Sequence, residues 1–322
     1  MPATSPAADR AADLAVDCGA ADRCPGVLRL AEAADGYLAR IRLPGGMIDA
    51  EQMRVLERLA SEFGDGRMEL TSRGNVQMRA LAPVAASPLT EELTRAGLLP
   101  SLSHDRVRNV LASPLAGVDG GPDLTGIVRA LDAALCARPR LAELPGRFLF
   151  AVDDGRGDVA GLGADVTARL GKDGVVVNGL AIRGPEDGVV AAMLACAEAF
   201  LDEAAAQGGK AWRIADLTDG DERVRAAVAA RLGLAAAPEP TDAGSRAPTR
   251  PVGLVGTDCT AAVLLAPLGR LTSAQLTWLA DQVTGRPARI TPWRSVVIPD
   301  LSAGVRTLAE AARLGFGVDD AS

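Results

Sequence analysis

The pattern of apolar and polar positions occurs twice along the chain. From Gly36 the sequence reads GYLARIRLPGGMIDAEQMRVLERLASEFGDGRMELTSRGNVQMRAL, and from Cys259 it reads CTAAVLLAPLGRLTSAQLTWLADQVTGRPARITPWRSVVIPDL. Each stretch begins with an extended run, Leu38 to Leu43 and Ala261 to Ala266, that meets a Pro/Gly turn. Each then starts a helix with an oxygen-bearing residue three places before a glutamine, Asp49 with Gln52 and Thr272 with Gln275. This is a capping box, in which two otherwise orphaned N–H groups are satisfied reciprocally. Apolar residues follow at helical spacing, Met53, Leu56, Ala60 and Phe63 in the first copy and Leu276, Leu279 and Val283 in the second, so each helix buries one stripe. After a glycine-containing break (Gly64 to Gly66; Gly285), two more extended segments complete the unit, Met68 to Thr71 with Val76 to Leu81, and Ala288 to Thr291 with Ser295 to Ile298. A strand, helix and hairpin unit exposes a strip of sheet it cannot cover alone. Two copies are therefore expected to pair about a pseudo-twofold axis, the plainer alternative being two independent βαββ pieces.

Between the copies a third module is expected over His104 to Leu234. Phe148, Phe150 and Val152 alternate with Leu149 and Ala151 as in a strand, and the turn-rich DDGRGD of Asp153 to Asp158 follows. Asp165 to Leu170 and Val175 to Asn178 read as strands joined by the hairpin turn Gly171-Lys172-Asp173-Gly174. A long helix follows Pro185, with Val189, Met193, Ala197, Phe200 and Leu201 on its apolar face, and shorter helices are expected at Asp123 to Ala137 and Asp221 to Leu232. The sum is an α+β chain. Met1 to Arg23 reads as a disordered tail, and residues 235–252, which include APEPTDAGSRAPTR, as a linker. The modules then run 24–85, 104–234 and 253–317.

Length and charge narrow the function classes. The chain has 322 residues, 48% of them apolar, and 34 Lys+Arg against 41 Asp+Glu, a net charge of −7. No nucleic-acid partner is expected of such an acidic surface, so any anion site must be local. The longest apolar stretch, Gly188 to Leu201, is broken by Glu198 and falls short of the ~20 residues a membrane span needs, so no membrane partner is expected. Met1 to Arg23 has no basic head and apolar block of an export signal, which points to the cytoplasm, where Cys18, Cys24, Cys136, Cys196 and Cys259 stay reduced. Cys136, Cys196 and Cys259 read as core residues. His104 is the single histidine, which leaves almost no scope for a histidine metal site. It could carry a proton or, the stronger reading, cap the loop before Arg108. The pair Gly161 and Gly163 lacks the third glycine of a dinucleotide fingerprint.

Arginine is concentrated where a binding surface would want it. Arg40 and Arg42 share one face of the first strand; Gln77 and Arg79 share one face of Val76 to Leu81. Arg73 sits in the turn TSRGN beside Gly74 and Asn75, Arg106, Arg108 and Asn109 follow in HDRVRNV, and Arg147 opens LPGRFLF. Each alone reads as a surface charge; together they read as a polycarboxylate site, because the planar guanidinium fork matches a carboxylate.

Four segments carry a resemblance. LPGG at Leu43 to Gly46, LTSRGNVQMR at Leu70 to Arg79, HDRVRNVLASPLAG at His104 to Gly117 and LPGRF at Leu144 to Phe148 resemble the successive signatures of the sulfite and nitrite reductase family, most closely its precorrin-3B synthase branch. The likeness runs roughly from Cys24 to Gly317. It implies two ferredoxin-like half-domains flanking one larger α+β domain of the nitrite/sulfite reductase type. It also implies a cleft in which arginines grip the carboxylates of a siroheme-like tetrapyrrole or precorrin. Arg73 matches the arginine of the family's T-x-R turn, Arg108 that of R-N-V, and Arg147 the first basic residue of the basic-Phe-Lys stretch, whose second basic position is Leu149 here. Arg40, Arg42, Asn75, Gln77, Arg79 and Asn109 complete the expected tetrapyrrole-binding set, and no catalytic residue is assigned. The implied reaction is the hydroxylation of precorrin-3A with dioxygen and an external electron donor. The family's [4Fe-4S] cluster takes four thiolates, two of them in a C-x-x-x-C pair that this sequence lacks; Cys18 and Cys24 are spaced C-x5-C with no second pair. Three readings stay open: a shortened synthase with its cluster bound differently or supplied by a separate iron-sulfur polypeptide, a non-redox tetrapyrrole carrier, and a sulfite or nitrite reductase relative.

Overall fold

The computed structural model describes residues 24–118, 120–172, 174–182, 186–236, 251–256 and 259–319. The segment expected as a tail, residues 1–23 with Cys18, and most of the expected linker lie outside the described residues. The first repeat holds β1 (Ala31–Ala33), β2 (Gly36–Ile41), β3 (Met47–Ile48), α1 (Ala50–Phe63), β4 (Arg67–Leu70) and β5 (Val76–Leu81), followed by α2 (Ala86–Arg95). The middle module holds β6 (Val110–Ala112), α3 (Thr125–Cys136), β7 (Phe150–Asp153), β8 (Val166–Gly171), β9 (Gly174–Val177), β10 (Leu180–Ile182), α4 (Glu186–Ala206) and α5 (Gly220–Leu232). The second repeat holds β11 (Gly253–Val255), β12 (Ala261–Leu265), β13 (Arg270–Thr272), α6 (Ser273–Gln282), β14 (Ala288–Ile290) and β15 (Ser295–Ile298), closed by α7 (Gly304–Arg313). The mixture is α+β, as its alternating patterns require.

Both capping boxes form. Gln52 N–H donates to Asp49 Oδ1 at 2.8 Å and Asp49 N–H to Gln52 Oε1 at 3.2 Å. In the second copy Thr272 N–H donates to Gln275 Oε1 at 2.9 Å and Gln275 N–H to Thr272 Oγ1 at 3.3 Å. The two repeats are joined more tightly than a shared axis demands, because they exchange strands. The first sheet runs β1-β2-β5-β4-β13 and the second β11-β12-β15-β14-β3, so each sheet is closed by an edge strand of the other copy. Leu271 stands opposite Met68, and Ile48 opposite Ala288. Helices α1 and α6 pack against each other beneath both sheets, with Ser61 Oγ 2.7 Å from Ser273 Oγ. Met53, Leu56 and Leu59 share one continuous core with Leu276, Leu279 and Val296. At the junction of the copies Gly46 adopts φ +68, and a Cβ there would lie 2.0 Å from the Ile290 carbonyl oxygen, so only glycine fits.

The outer faces of the two sheets differ. The second sheet is covered: Val263 and Val297 are buried, and Arg289 donates through Nη1 to the carbonyls of Pro114 (2.8 Å) and Ala116 (2.6 Å) in the segment after β6. The first sheet keeps Arg40, Gln77, Glu69 and Arg79 only half-buried. The middle sheet runs β10-β9-β8-β7-β6, with β6, β7 and β8 parallel and β8, β9 and β10 antiparallel. Parallel strands are covered on both faces, and all four residues of β7 are buried. The strand expected from Phe148 starts at Phe150, because Phe148 N–H closes a turn to Pro145 O. Phe148 instead packs on Phe150 and Phe200, ring centroids 5.3 and 4.9 Å away. Cys259 is corrected from core to surface: it is exposed, in a left-handed turn at φ +53 before β12. Cys196 is buried and Cys136 half-buried, and burial pushes their thiols up to about 12 and about 11. Among the described residues no helix is long and apolar enough to cross a membrane.

Candidate functional site

The end of β2 delivers two arginines to one place. Arg42 is 2% exposed; its Nη2 donates to Pro25 O and Arg106 O, each at 3.3 Å, and its Nε to Arg106 O. Burial pushes its guanidinium down to about 9, and repulsion by Arg40 and Arg73 acts in the same direction. Arg40 donates to Gln77 Oε1 at 3.0 Å, and burial lowers it too. Arg73, held by the turn in which Thr71 Oγ1 accepts the N–H groups of Arg73 and Asn75, is lowered by burial and then by Arg213 and Arg40. Arg40 Nε and Arg42 Nη1 are the two buried side-chain polar atoms without a hydrogen-bond partner among the described residues. A buried donor left unpaired is costly, and the cost vanishes when an anion takes the hydrogen bond. Among the described residues no carboxylate is bonded to Arg40 or Arg42: Asp105 lies near Arg42 but spends Oδ2 on Val27 N–H (2.7 Å) and Leu28 N–H (3.1 Å), and burial raises its pKa. Gly26 approaches that carboxylate so closely that a Cβ would sit 2.1 Å from Oδ2.

The other expected residues divide by role. Gln77 orients Arg40 and passes its amide N–H to Glu69 Oε2 at 2.5 Å, while Arg270 neutralises Glu69 from β13 at 2.6 Å. Asn75 and Asn109 are buried brackets: Asn75 Oδ1 accepts Leu43 N–H at 2.9 Å, Asn75 Nδ2 donates to Asn109 Oδ1, and Asn109 Nδ2 donates to Gly146 O at 3.0 Å. They fix the approach of three loops and present no group to a ligand. Arg79 faces the same sheet surface but is engaged bidentately by Asp35, at 2.9 and 2.8 Å. Arg108 stands apart from the expectation that it lines the cleft. It is 3% exposed, with Nε and Nη2 both 2.7 Å from the Asp132 carboxylate on α3 and Nη1 2.9 Å from Leu98 O. It is an internal strut, because its fork already has a carboxylate. Arg147 is exposed, its Cζ 5.7 Å from the centroid of the Trp212 indole. Of the expected set, Arg40, Arg42 and Arg73 are thus the arginines clustered at the end of β2 with no carboxylate bonded to their forks among the described residues, with Gln77 bonded to Arg40 and Arg147 nearby.

Sequence reasoning missed Arg213 and Trp212, which reach this region from the turn between α4 and α5. Arg213 Nε is 2.8 and 2.7 Å from the two oxygens of Asp165 at the start of β8. The dipeptide Trp-Arg after Lys210 was the available signal, hidden by its distance from the motif-bearing segments. His104 is buried, with Nδ1 2.8 Å from Ser101 Oγ and Nε2 3.1 Å from Arg138 O, so both ring nitrogens hold the loop before Arg108. The one group of three or more potential metal ligands among the described residues is Asp153, Asp154 and Asp158. Asp153 there accepts the N–H groups of Gly155, Gly157, Val159 and Ala160, which makes it the organiser of its own loop. No cysteine set among the described residues fits an iron-sulfur cluster, whereas the orphaned arginine donors fit the carboxylates of a tetrapyrrole.

Comparison with known proteins adds family context. Residues 30–96 match the family described as "Nitrite/Sulfite reductase ferredoxin-like half domain". A ferredoxin–nitrite reductase of Synechococcus elongatus is 31% identical over 128 residues, 37% of this chain and 25% of that protein. A precorrin-3B synthase of Sinorhizobium sp is 29% identical over 134 residues, 41% of this chain and 28% of that protein. The matched stretches thus span about a quarter of these relatives. The solved structure of the Mycobacterium tuberculosis NirA protein superposes with a TM-score of 0.74 at 22% identity, covering 88% of this chain and 57% of that one, which establishes a shared fold.

Proposed function

We propose that this chain, which carries the ferredoxin-like half domain of the nitrite/sulfite reductase family, binds a polycarboxylate tetrapyrrole at Arg40, Arg42 and Arg73 as part of an oxidoreductase. The observation that carries the reading is the pair of buried guanidinium donors left without partners, Arg40 Nε and Arg42 Nη1, amid cations that repel one another. A ligand with several acid groups supplies both the missing hydrogen bonds and the missing negative charge. Arg40, Arg42 and Arg73 would hold its carboxylates, Gln77 would keep Arg40 aimed, and Asn75, Asn109 and Asp105 would keep the loops in register. Catalysis by the chain is then chiefly orientation and electrostatics. An iron tetrapyrrole bound there would supply electron transfer. The finer reading takes precorrin-3A as the tetrapyrrole, hydroxylated with dioxygen and electrons from an external donor; its support is the wording of residues 104–117 and 144–148 and the likeness to the Sinorhizobium synthase.

A second reading is a carrier without redox chemistry of its own; among the described residues the thiols do not gather, Cys24 and Cys136 being half-buried, Cys196 buried and Cys259 exposed. Iron and acid-labile sulfide measured on anaerobically purified protein separate the two, since the carrier contains neither. Titration with uroporphyrin tests the cleft. Arg40→Ala and Arg73→Ala are expected to weaken binding by about 1.5–3 kcal/mol each, roughly 10- to 100-fold, and Arg79→Ala, whose fork belongs to Asp35, to leave it unchanged. Equal affinity across all three variants and the wild type removes the cluster from the site.

A further inference from the structure

Arg73 is bracketed by two dipeptides from distant parts of the chain. Its Nη1 donates to the Gly146 carbonyl at 3.4 Å, and the foremost charge acting on it is the Arg213 guanidinium. The neighbours of these two residues meet each other: the Arg147 guanidinium lies over the Trp212 indole at 5.7 Å. The turn that carries Trp212 is anchored. Trp212 N–H donates to Asp216 Oδ2 at 2.9 Å, and Ile214 N–H to Asp165 Oδ1 at 3.0 Å, an oxygen that Arg213 shares. The buried Asp165 also accepts Leu149 N–H at 2.9 Å, which ties the turn to the start of β7. A half-buried indole is therefore held on a fixed turn beside the arginine cluster, faced by a cation that has no carboxylate partner among the described residues.

We propose that Trp212 is an aromatic rim of the arginine site: the conjugated face of a planar polycarboxylate packs on the indole while Arg147 leaves it for one of the ligand's carboxylates. The inference rests on the tetrapyrrole reading above and adds a second mode of recognition to it, a flat surface beside the charges. An exposed arginine held only by a ring face gains when a carboxylate offers it a charge-assisted hydrogen bond, so a ligand rich in acids is the chemistry that clears the indole. An indole fixed by its backbone presents a large apolar face with little ordering left to do. A flexible polycarboxylate without a ring system uses the arginines alone, and the two ligand classes are thereby distinguished.

Calorimetric titration of the full chain with uroporphyrin, and separately with butane-1,2,3,4-tetracarboxylate, tests this. Trp212→Leu is expected to bind uroporphyrin about tenfold more weakly and the tetracarboxylate as the wild type does, with Trp212→Phe restoring most of the uroporphyrin affinity. Arg147→Gln, at an exposed position that leaves the fold undisturbed, is expected to weaken both probes, and Arg73→Ala likewise. Unchanged uroporphyrin binding by Trp212→Leu, or an equal loss for both probes, overturns the aromatic rim even if Arg73→Ala still binds weakly. Unchanged binding of both probes by Arg147→Gln overturns the movement of Arg147. A wild-type protein that binds neither probe overturns the tetrapyrrole reading and the rim with it.

Discussion

Arg42 and Arg108 are equally buried and oppositely satisfied. Arg108 has a carboxylate matched to its fork, whereas Arg42 has two carbonyls and one bare nitrogen. Removing one member of a buried pair strands the other charge, so Arg108→Leu is expected to lower the unfolding free energy by about 3–5 kcal/mol in urea denaturation. Arg42→Met deletes a charge that burial already disfavours and is expected to cost far less, while uroporphyrin should raise the melting temperature of the wild type more than that of this variant. Neither role was legible in the sequence: both arginines belong to the same expected binding set, and the difference is made by Asp132, 24 residues from Arg108 on α3. A third buried group titrates in a useful range. Burial pushes Asp158 up to about 6 from the usual 3.8, despite the hydrogen bond from Ser113. Between about pH 4 and 6 the folded state holds a proton that the unfolded chain has released, so this contribution is complete below pH 4 and lost as the pH rises through 6. Asp158→Asn keeps a partner for Ser113 and is expected to flatten the fall in stability between pH 4 and 7 by up to about 3 kcal/mol, measured by urea titration at each pH.

At the scale of elements, the helix starts were readable because a capping box is local, four consecutive residues whose side chains and backbone answer each other. Asp49→Ala and Thr272→Ala are each expected to cost about 1 kcal/mol, read as a shift of the denaturation midpoint with an unchanged slope. Equality of the two would reflect the equivalence of α1 and α6. The strand exchange was not readable. β3 has two residues and β13 three, too few for any alternation to register, and what recruits them is the open edge of the other copy's sheet. The strand expected at Phe148 was displaced for a related reason: buried on both faces, its alternation carried no information about which residues pair.

For the molecule as a whole, the repeat foretold the paired sheets and the face on which Arg40 and Gln77 stand, and the alternation and helical spacing between the copies foretold the α+β middle, because these follow from periodicity. What remained hidden was convergence: Arg213 and Trp212 reach the arginines from a turn about 140 residues beyond Arg73 in sequence, by the loop packing of the middle module. The junction between copies is correspondingly intolerant. Gly46→Ala must combine a left-handed backbone with a carbon on the Ile290 oxygen, and is expected to depress the melting temperature more than Gly97→Ala, which shares the positive φ but has open space around it. The reciprocal edges have a further consequence during synthesis. The first sheet emerges from the ribosome with the flank of β4 bare, and its closing strand is not yet translated until the middle module has left the exit tunnel. Until then the nascent chain carries an adhesive margin, and its final closure waits on β13, which is made after the whole middle module.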